Sequence, residues 1–170
     1  MFCFLGQAEG SDYIAWARAA ITTVVTGKSS SPSISTSKSQ PVFVTIEVDG
    51  TIRGCRGSLT TRTPTLFEEV CDAARSAAAF DARYRPLGAS ELAKMKVTVT
   101  IVSRIELISS VRGLTAADGL VLKSGDKTGV VLPWEGKDPQ VRLKWAYAKA
   151  KVATGTPVNL YRLVAERYRG

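Results

Sequence analysis

Val42-Phe43-Val44-Thr45-Ile46-Glu47-Val48-Asp49-Gly50-Thr51-Ile52-Arg53-Gly54-Cys55 reads as two strands joined by a tight turn. Val42, Val44, Ile46 and Val48 recur at every second residue, so all four fall on one face of an extended segment. Asp49-Gly50 is a strong hairpin signal, because this turn needs residues that accept a positive φ. Thr51 to Cys55 returns as the partner strand, and the chain then enters Arg56-Gly57-Ser58-Leu59.

Working outward, the spacing of Ile14, Ala17, Ile21, Val24 and Val25 predicts a helix from Ser11 to about Thr26, capped by Ser11 and ended by Gly27. Trp16 lies off that stripe. Residues 28–40, KSSSPSISTSKSQ, offer little to bury and read as a mobile serine-rich loop. Downstream of the hairpin, Thr65 and Glu68 form a capping-box pattern at the start of a second helix with Leu66, Val70, Ala73, Ala74 and Ala77 inward. The polar and aromatic stretch Phe80 to Pro86 ends it, and Ser90 to Met95 reads as a short helix.

Val97-Thr98-Val99-Thr100-Ile101-Val102 is β-branched throughout and reads as a strand. Leu120-Val121-Leu122 and Val130-Val131-Leu132 are two more, joined through Ser124-Gly125-Asp126-Lys127. Asp138-Pro139 opens a last helix, with Val141, Trp145, Ala148 and Val152 expected inward and Gly155 as the stop. Leu160 to Tyr168 closes the chain as a strand. This order predicts one α+β domain over residues 1–170, with a largely antiparallel sheet and packed helices.

Composition limits the chemistry. The 170 residues suit one domain, and 45% hydrophobic content is that of a globular chain. No apolar run approaches the ~20 residues of a membrane span, and Met1 to Gly6 lacks the basic and long apolar regions of a secretory signal. Cys3, Cys55 and Cys71 form neither a CxxC pair nor an even set, which makes a reducing cytoplasm the expected compartment. There is no histidine, so triads, Cys/His pairs and histidine-ligated metals are excluded within the chain. No cofactor or metal is expected. The net charge of +8 suits an anionic partner as well as an ordinary basic protein. Arg142 and Lys149 flank one side of the last helix's apolar stripe and Lys144 and Lys151 the other, so they form no single basic face. Nucleic acid therefore ranks below a small molecule as a partner. Gly27-Lys28-Ser29 lacks the glycine spacing of a phosphate loop.

Ile52-Arg53-Gly54-Cys55-Arg56-Gly57-Ser58-Leu59 resembles the LRGCIG signature of the AMMECR family. Ala79 to Leu87, Gly119-Leu120-Val121 with Thr128 to Pro133, and Tyr161-Arg162-Leu163 resemble its further blocks, so the likeness runs from about Ser11 to Tyr168. Arg56 departs from the apolar residue usual before the second glycine. Trp134 to Pro139 is similar to a shorter, bacterial-type form of a longer family segment. Ala117-Asp118-Gly119 stands where relatives often carry a histidine. The resemblance implies an α+β fold with a larger and a smaller lobe, a cleft between them near the Arg-Gly-Cys motif, and no established reaction. It also implies pathway neighbours of the Memo-like and radical-SAM kinds.

In a simple extended strand, Arg53 and Cys55 project to one side about 7 Å apart. A guanidinium at that range favours thiolate by about 0.6 to 2.4 kcal/mol, depending on the surroundings. Cys55 is thus the candidate catalytic thiol. Arg53, Gly54, Arg56 and Gly57 are candidate ligand contacts, the glycines because they admit a ligand close to the backbone. Asp81 and Arg83 join them as residues able to reach the site, or else as a pair that fixes their own loop. The alternative for Cys55 is a small inert residue buried in a turn. Cys71 reads as core and Cys3 as incidental. The expected function is a small-molecule or anion-binding cleft at the motif, with or without an enzymatic step. The other reading is a non-enzymatic binding or scaffold module for a partner protein or RNA.

Overall fold

The computed structural model describes residues 10–29, 32 and 34–170. Its elements, in chain order, are α1 (Gly10–Thr26), β1 (Val42–Val48), β2 (Thr51–Gly57), α2 (Leu66–Ala79), β3 (Met95–Ile108), β4 (Gly119–Ser124), β5 (Lys127–Val131), α3 (Pro139–Ala150) and β6 (Asn159–Arg169). The strands follow the order β2-β1-β3-β6-β4-β5, and β1 pairs antiparallel with both β2 and β3. Two compact units emerge, one running through Ile101 and including Arg167–Gly170, the other Val102–Glu166.

In the first unit, α1 and α2 pack on the valine face of β1 and β3. Val42, Val44, Ile46, Val97 and Val99 are fully buried beside Ala17, Ile21, Val70, Ala73 and Ala74. α1 begins one residue before Ser11, and its inward stripe is Trp16, Ala17, Ala20 and Ile21. Trp16 is a core residue at 1% exposure, with edge-on contacts to Tyr13 and Phe67 at 5.4 and 5.3 Å. The alanine face of α2 lets α1 approach, and the tryptophan fills the space beside it.

α2 starts with the expected capping box: Glu68 N–H donates to Thr65 Oγ1 at 3.3 Å, and Thr65 N–H donates to the Glu68 carboxylate at 3.1 Å. The buried Glu69 carboxylate accepts from the N–H groups of Arg62 and Thr63 and from the Thr63 hydroxyl, at 2.8–3.0 Å. Burial pushes this carboxyl up, and those hydrogen bonds outweigh it and hold it below its ordinary range. Part of the serine-rich stretch is tied to this corner, since Leu66 N–H donates to Ser37 O and Ser39 N–H to Pro64 O. Residues 30, 31 and 33 of that stretch, like Cys3, lie outside the described residues. The short helix expected after Ser90 is a single 3-10 turn, Ala89–Glu91.

The second unit packs α3 on the β4–β5 hairpin around Val111, Leu114, Leu120, Leu122, Val131, Ala146, Tyr147 and Ala150. Here the expected inward stripe of the last helix is corrected. Arg142, Ala146, Tyr147 and Ala150 face the core, whereas Val141, Trp145 and Ala148 face solvent. The cause is close packing. A Cβ on Gly129 of β5 would overlap the Ala146 carbonyl, so α3 lies almost on the strand backbone at Ala146 and Ala150, and Arg142 and Tyr147 turn inward beside that contact. Arg142 does not reach solvent. It is fully buried and donates to the carbonyls of Thr115 (2.9 Å) and Asp118. Burial lowers its pKa, partly offset by Asp118 and Glu135. The helix stops before Gly155, with Lys151 left-handed at φ 55°.

Candidate functional site

The Arg-Gly-Cys segment lies in β2, at one end of the strand order. The β1–β2 register steps from Ile46↔Gly54 to Glu47↔Ile52, so Arg53 is the extra residue of a β-bulge. This bulge cancels the simple alternation that would set Arg53 beside Cys55. The Arg53 guanidinium instead donates to Glu91, from Nε to Oε1 at 2.7 Å and from Nη2 to Oε2 at 3.3 Å, and Nη2 also reaches Arg85 O at 3.4 Å. Those bonds, with one from Gly88 N–H, hold the Glu91 carboxyl down at about 2.

Cys55 is half-buried and faces Thr45, its direct partner on β1. Thr45 Oγ1 donates to Cys55 Sγ at 3.2 Å. Thr45 is also directly opposite Thr98 on β3. Directly opposed residues share a face, so Cys55, Thr45 and Thr98 form one polar row across three strands, on the side away from the valine core. Thr98 is buried, and its Oγ1 has no hydrogen-bond partner among the described residues.

Asp81 and Arg83 clip the backbone of Cys55. Cys55 N–H donates to Asp81 Oδ2 at 2.9 Å, and Arg83 Nη2 donates to Cys55 O at 2.8 Å. Arg83 closes the clip on Asp81 through Nε at 2.9 Å and Nη2 at 2.7 Å. Burial pushes the Asp81 carboxyl up, but the bonds from Arg83 and Cys55 prevail and bring it to about 2. The Arg83 guanidinium is held charged chiefly by its hydrogen bond to Asp81, and Cys55 is among the groups acting on it. The Arg83 side chain is 57% exposed, and its Nη1 has no partner among the described residues.

The glycines have a packing role. A Cβ on Gly54 would overlap the Ala77 carbonyl of α2, and one on Gly57 would overlap Val42 O. Arg56 is exposed and forms no ion pair among the described residues. The structure thus gathers Cys55, Asp81 and Arg83 in one network, turns Arg53 to Glu91 and leaves Arg56 in solvent. Thr45, Thr98 and Glu91 escaped the sequence reading. The threonines had a signal, since both alternate with the buried valines of their strands; Glu91 had none, because only the bulge sends Arg53 toward it. Among the described residues no group of carboxylates or cysteines is arranged to hold a metal, and no helix is long and apolar enough to cross a membrane.

Three helices with six antiparallel strands and this clipped strand define an α+β domain. The chain belongs to the AMMECR1 family, whose model matches residues 14–170. A Thermotoga maritima protein is 34% identical over 138 residues, covering 75% of this chain and 76% of its own length. An Aeropyrum pernix protein is 34% identical over 146 residues, covering 75% and 62%. The match to a Methanosarcina acetivorans protein, 36% identical over 98 residues, spans 54% of this chain and 49% of that relative. The crystal structure of the uncharacterized protein PH0010 from Pyrococcus horikoshii is similar with a TM-score of 0.81 at 26% identity, over 98% of this chain and 94% of that one.

Proposed function

We propose that the chain binds a small anionic molecule beside Cys55, with the thiol and the Thr45 hydroxyl as contacts and Arg83 as the charge. The carrying observation is the pinned guanidinium of Arg83. Asp81 and the Cys55 carbonyl fix it next to the thiol, with Nη1 left to donate. An arginine ordered before binding loses less freedom on contact than a lone surface arginine. Thiol chemistry on the bound molecule is the enzymatic form of the same reading, since a thiol beside a cation is biased toward the reactive thiolate.

The test is thermal denaturation with inorganic phosphate, pyrophosphate, citrate and nucleoside monophosphates, alongside timed alkylation of Cys55 by iodoacetamide. A bound anion raises the melting temperature and slows Cys55 labelling, and Arg83→Ala removes both effects. No stabilisation by any anion, or stabilisation that survives Arg83→Ala, refutes the site. A second reading, a non-enzymatic module that docks a partner, is favoured by the solvent-facing stripe of α3.

A further inference from the structure

α3 presents apolar residues to solvent at helical spacing. Val141, Trp145 and Ala148 lie on the face opposite Arg142, Ala146, Tyr147 and Ala150. Trp145 is 40% exposed, and its indole lies against Gly136, where a Cβ would overlap the ring. Two residues earlier, Trp134 is 55% exposed and holds φ at 64°, a costly backbone for a bulky side chain. Its N–H is tied to Ala116 O at 2.7 Å. Trp145 and Val141 form an apolar patch on the helix, and Trp134 is exposed on the loop that leads into it.

The rim of this patch is basic. Lys137, Lys144 and Lys151 are exposed, and none forms an ion pair among the described residues. The neighbouring acids are engaged: Glu135 pairs with Lys149, and Asp138 caps α3 by accepting from Gln140 N–H and Val141 N–H. We infer that this face docks a partner protein through an amphipathic helical segment with apolar residues at helical spacing and Asp or Glu along its edges. Such a segment matches both the stripe and the unpaired lysines, in the manner of a helix laid on an apolar surface. A second copy of the chain fits less well, because a two-fold contact at this patch sets lysines against lysines. Single-stranded nucleic acid also fits less well. Val141 and Ala148 give bases no ring to stack on, and the arginine of this helix, Arg142, is buried on carbonyls. The surface is built from residues of the second unit and the anion site from residues of the first, so different substitutions test the two and they fail independently.

The experiment is selection of a displayed library of random peptides, about 16 residues long, on the full chain and in parallel on Trp145→Ala and Lys144→Glu. Both substitutions sit on exposed positions and leave the melting temperature near that of the parent. The expected winners are acidic amphipathic sequences whose synthetic forms bind the parent at least about tenfold more tightly than either variant, and more weakly as salt rises. Enrichment that is indifferent to the two substitutions overturns the proposal, as does enrichment of non-acidic sequences or none at all. Tighter binding of a labelled oligothymidylate that is lost in Trp145→Ala overturns it in favour of nucleic acid. Concentration-dependent dimers that Trp145→Ala abolishes overturn it in favour of a second copy.

Discussion

Cys55 is held by its backbone more firmly than by its side chain. Its N–H and C=O are both engaged by one Asp–Arg pair, while Sγ accepts from the Thr45 hydroxyl. Arg53, its neighbour in sequence, is committed to Glu91, whereas Arg83, brought in from beyond α2, donates to its carbonyl and is electrostatically coupled to it. Arg83→Ala is therefore expected to slow alkylation of Cys55 at pH 7 severalfold, because removing a neighbouring cation lowers the thiolate fraction that reacts. Arg53→Ala is expected to change the rate less. Cys71 should label more slowly than Cys55, since burial pushes its thiol up. Timed labelling read by mass spectrometry resolves these sites. Equal rates for Arg83→Ala and the parent would show that Arg83 does not set the reactivity.

At the scale of elements, Gly54 makes β2 and α2 compatible. The absence of its side chain lets the Ala77 carbonyl touch the strand. Gly54→Ala is expected to cost about 3 kcal/mol in chemical denaturation, the upper range for overpacking, because the obstacle is backbone that cannot rotate aside. A cost under about 0.5 kcal/mol, the level of an ordinary surface change, would mean that the helix can move away. The elements themselves were legible from alternation and caps: the β1–β2 turn, the Thr65–Glu68 box and the Asp138-Pro139 start all stand where the sequence sets them. The face of α3 was not legible. Hydropathy assigns Trp145 inward and Arg142 outward, but the close approach over Gly129 requires alanines at the contact, and with Ala146 and Ala150 inward the helix also turns Arg142 and Tyr147 inward. The bulge at Arg53 was equally hidden, since one extra residue leaves no mark in composition. That bulge decided which arginine meets the thiol, so the residue types of the site were readable and their pairing was not.

For the molecule as a whole, carboxyls with depressed pKa values set the acid limit, Asp81 and Glu91 most strongly. Asp81 and Glu91 each titrate at about 2 when folded, against roughly 3.9 and 4.3 in an unfolded chain. The folded state thus binds fewer protons than the unfolded state between those limits. The stability these groups contribute is complete above about pH 5 and is lost as pH falls toward 2. Glu91→Gln is expected to flatten the dependence of melting temperature on pH across this window, and an unchanged slope would count against the Arg53–Glu91 pair. The clip at Asp81 carries a different consequence. β2 ends the strand order, so its outer side offers N–H and C=O groups on which another chain can add a strand. Asp81 and Arg83 occupy both groups of Cys55 and interrupt that template at its middle. The same two residues thereby act as a guard against aggregation. Asp81→Ala is expected to scatter light and form thioflavin-positive aggregates under conditions where Arg56→Ala stays monomeric.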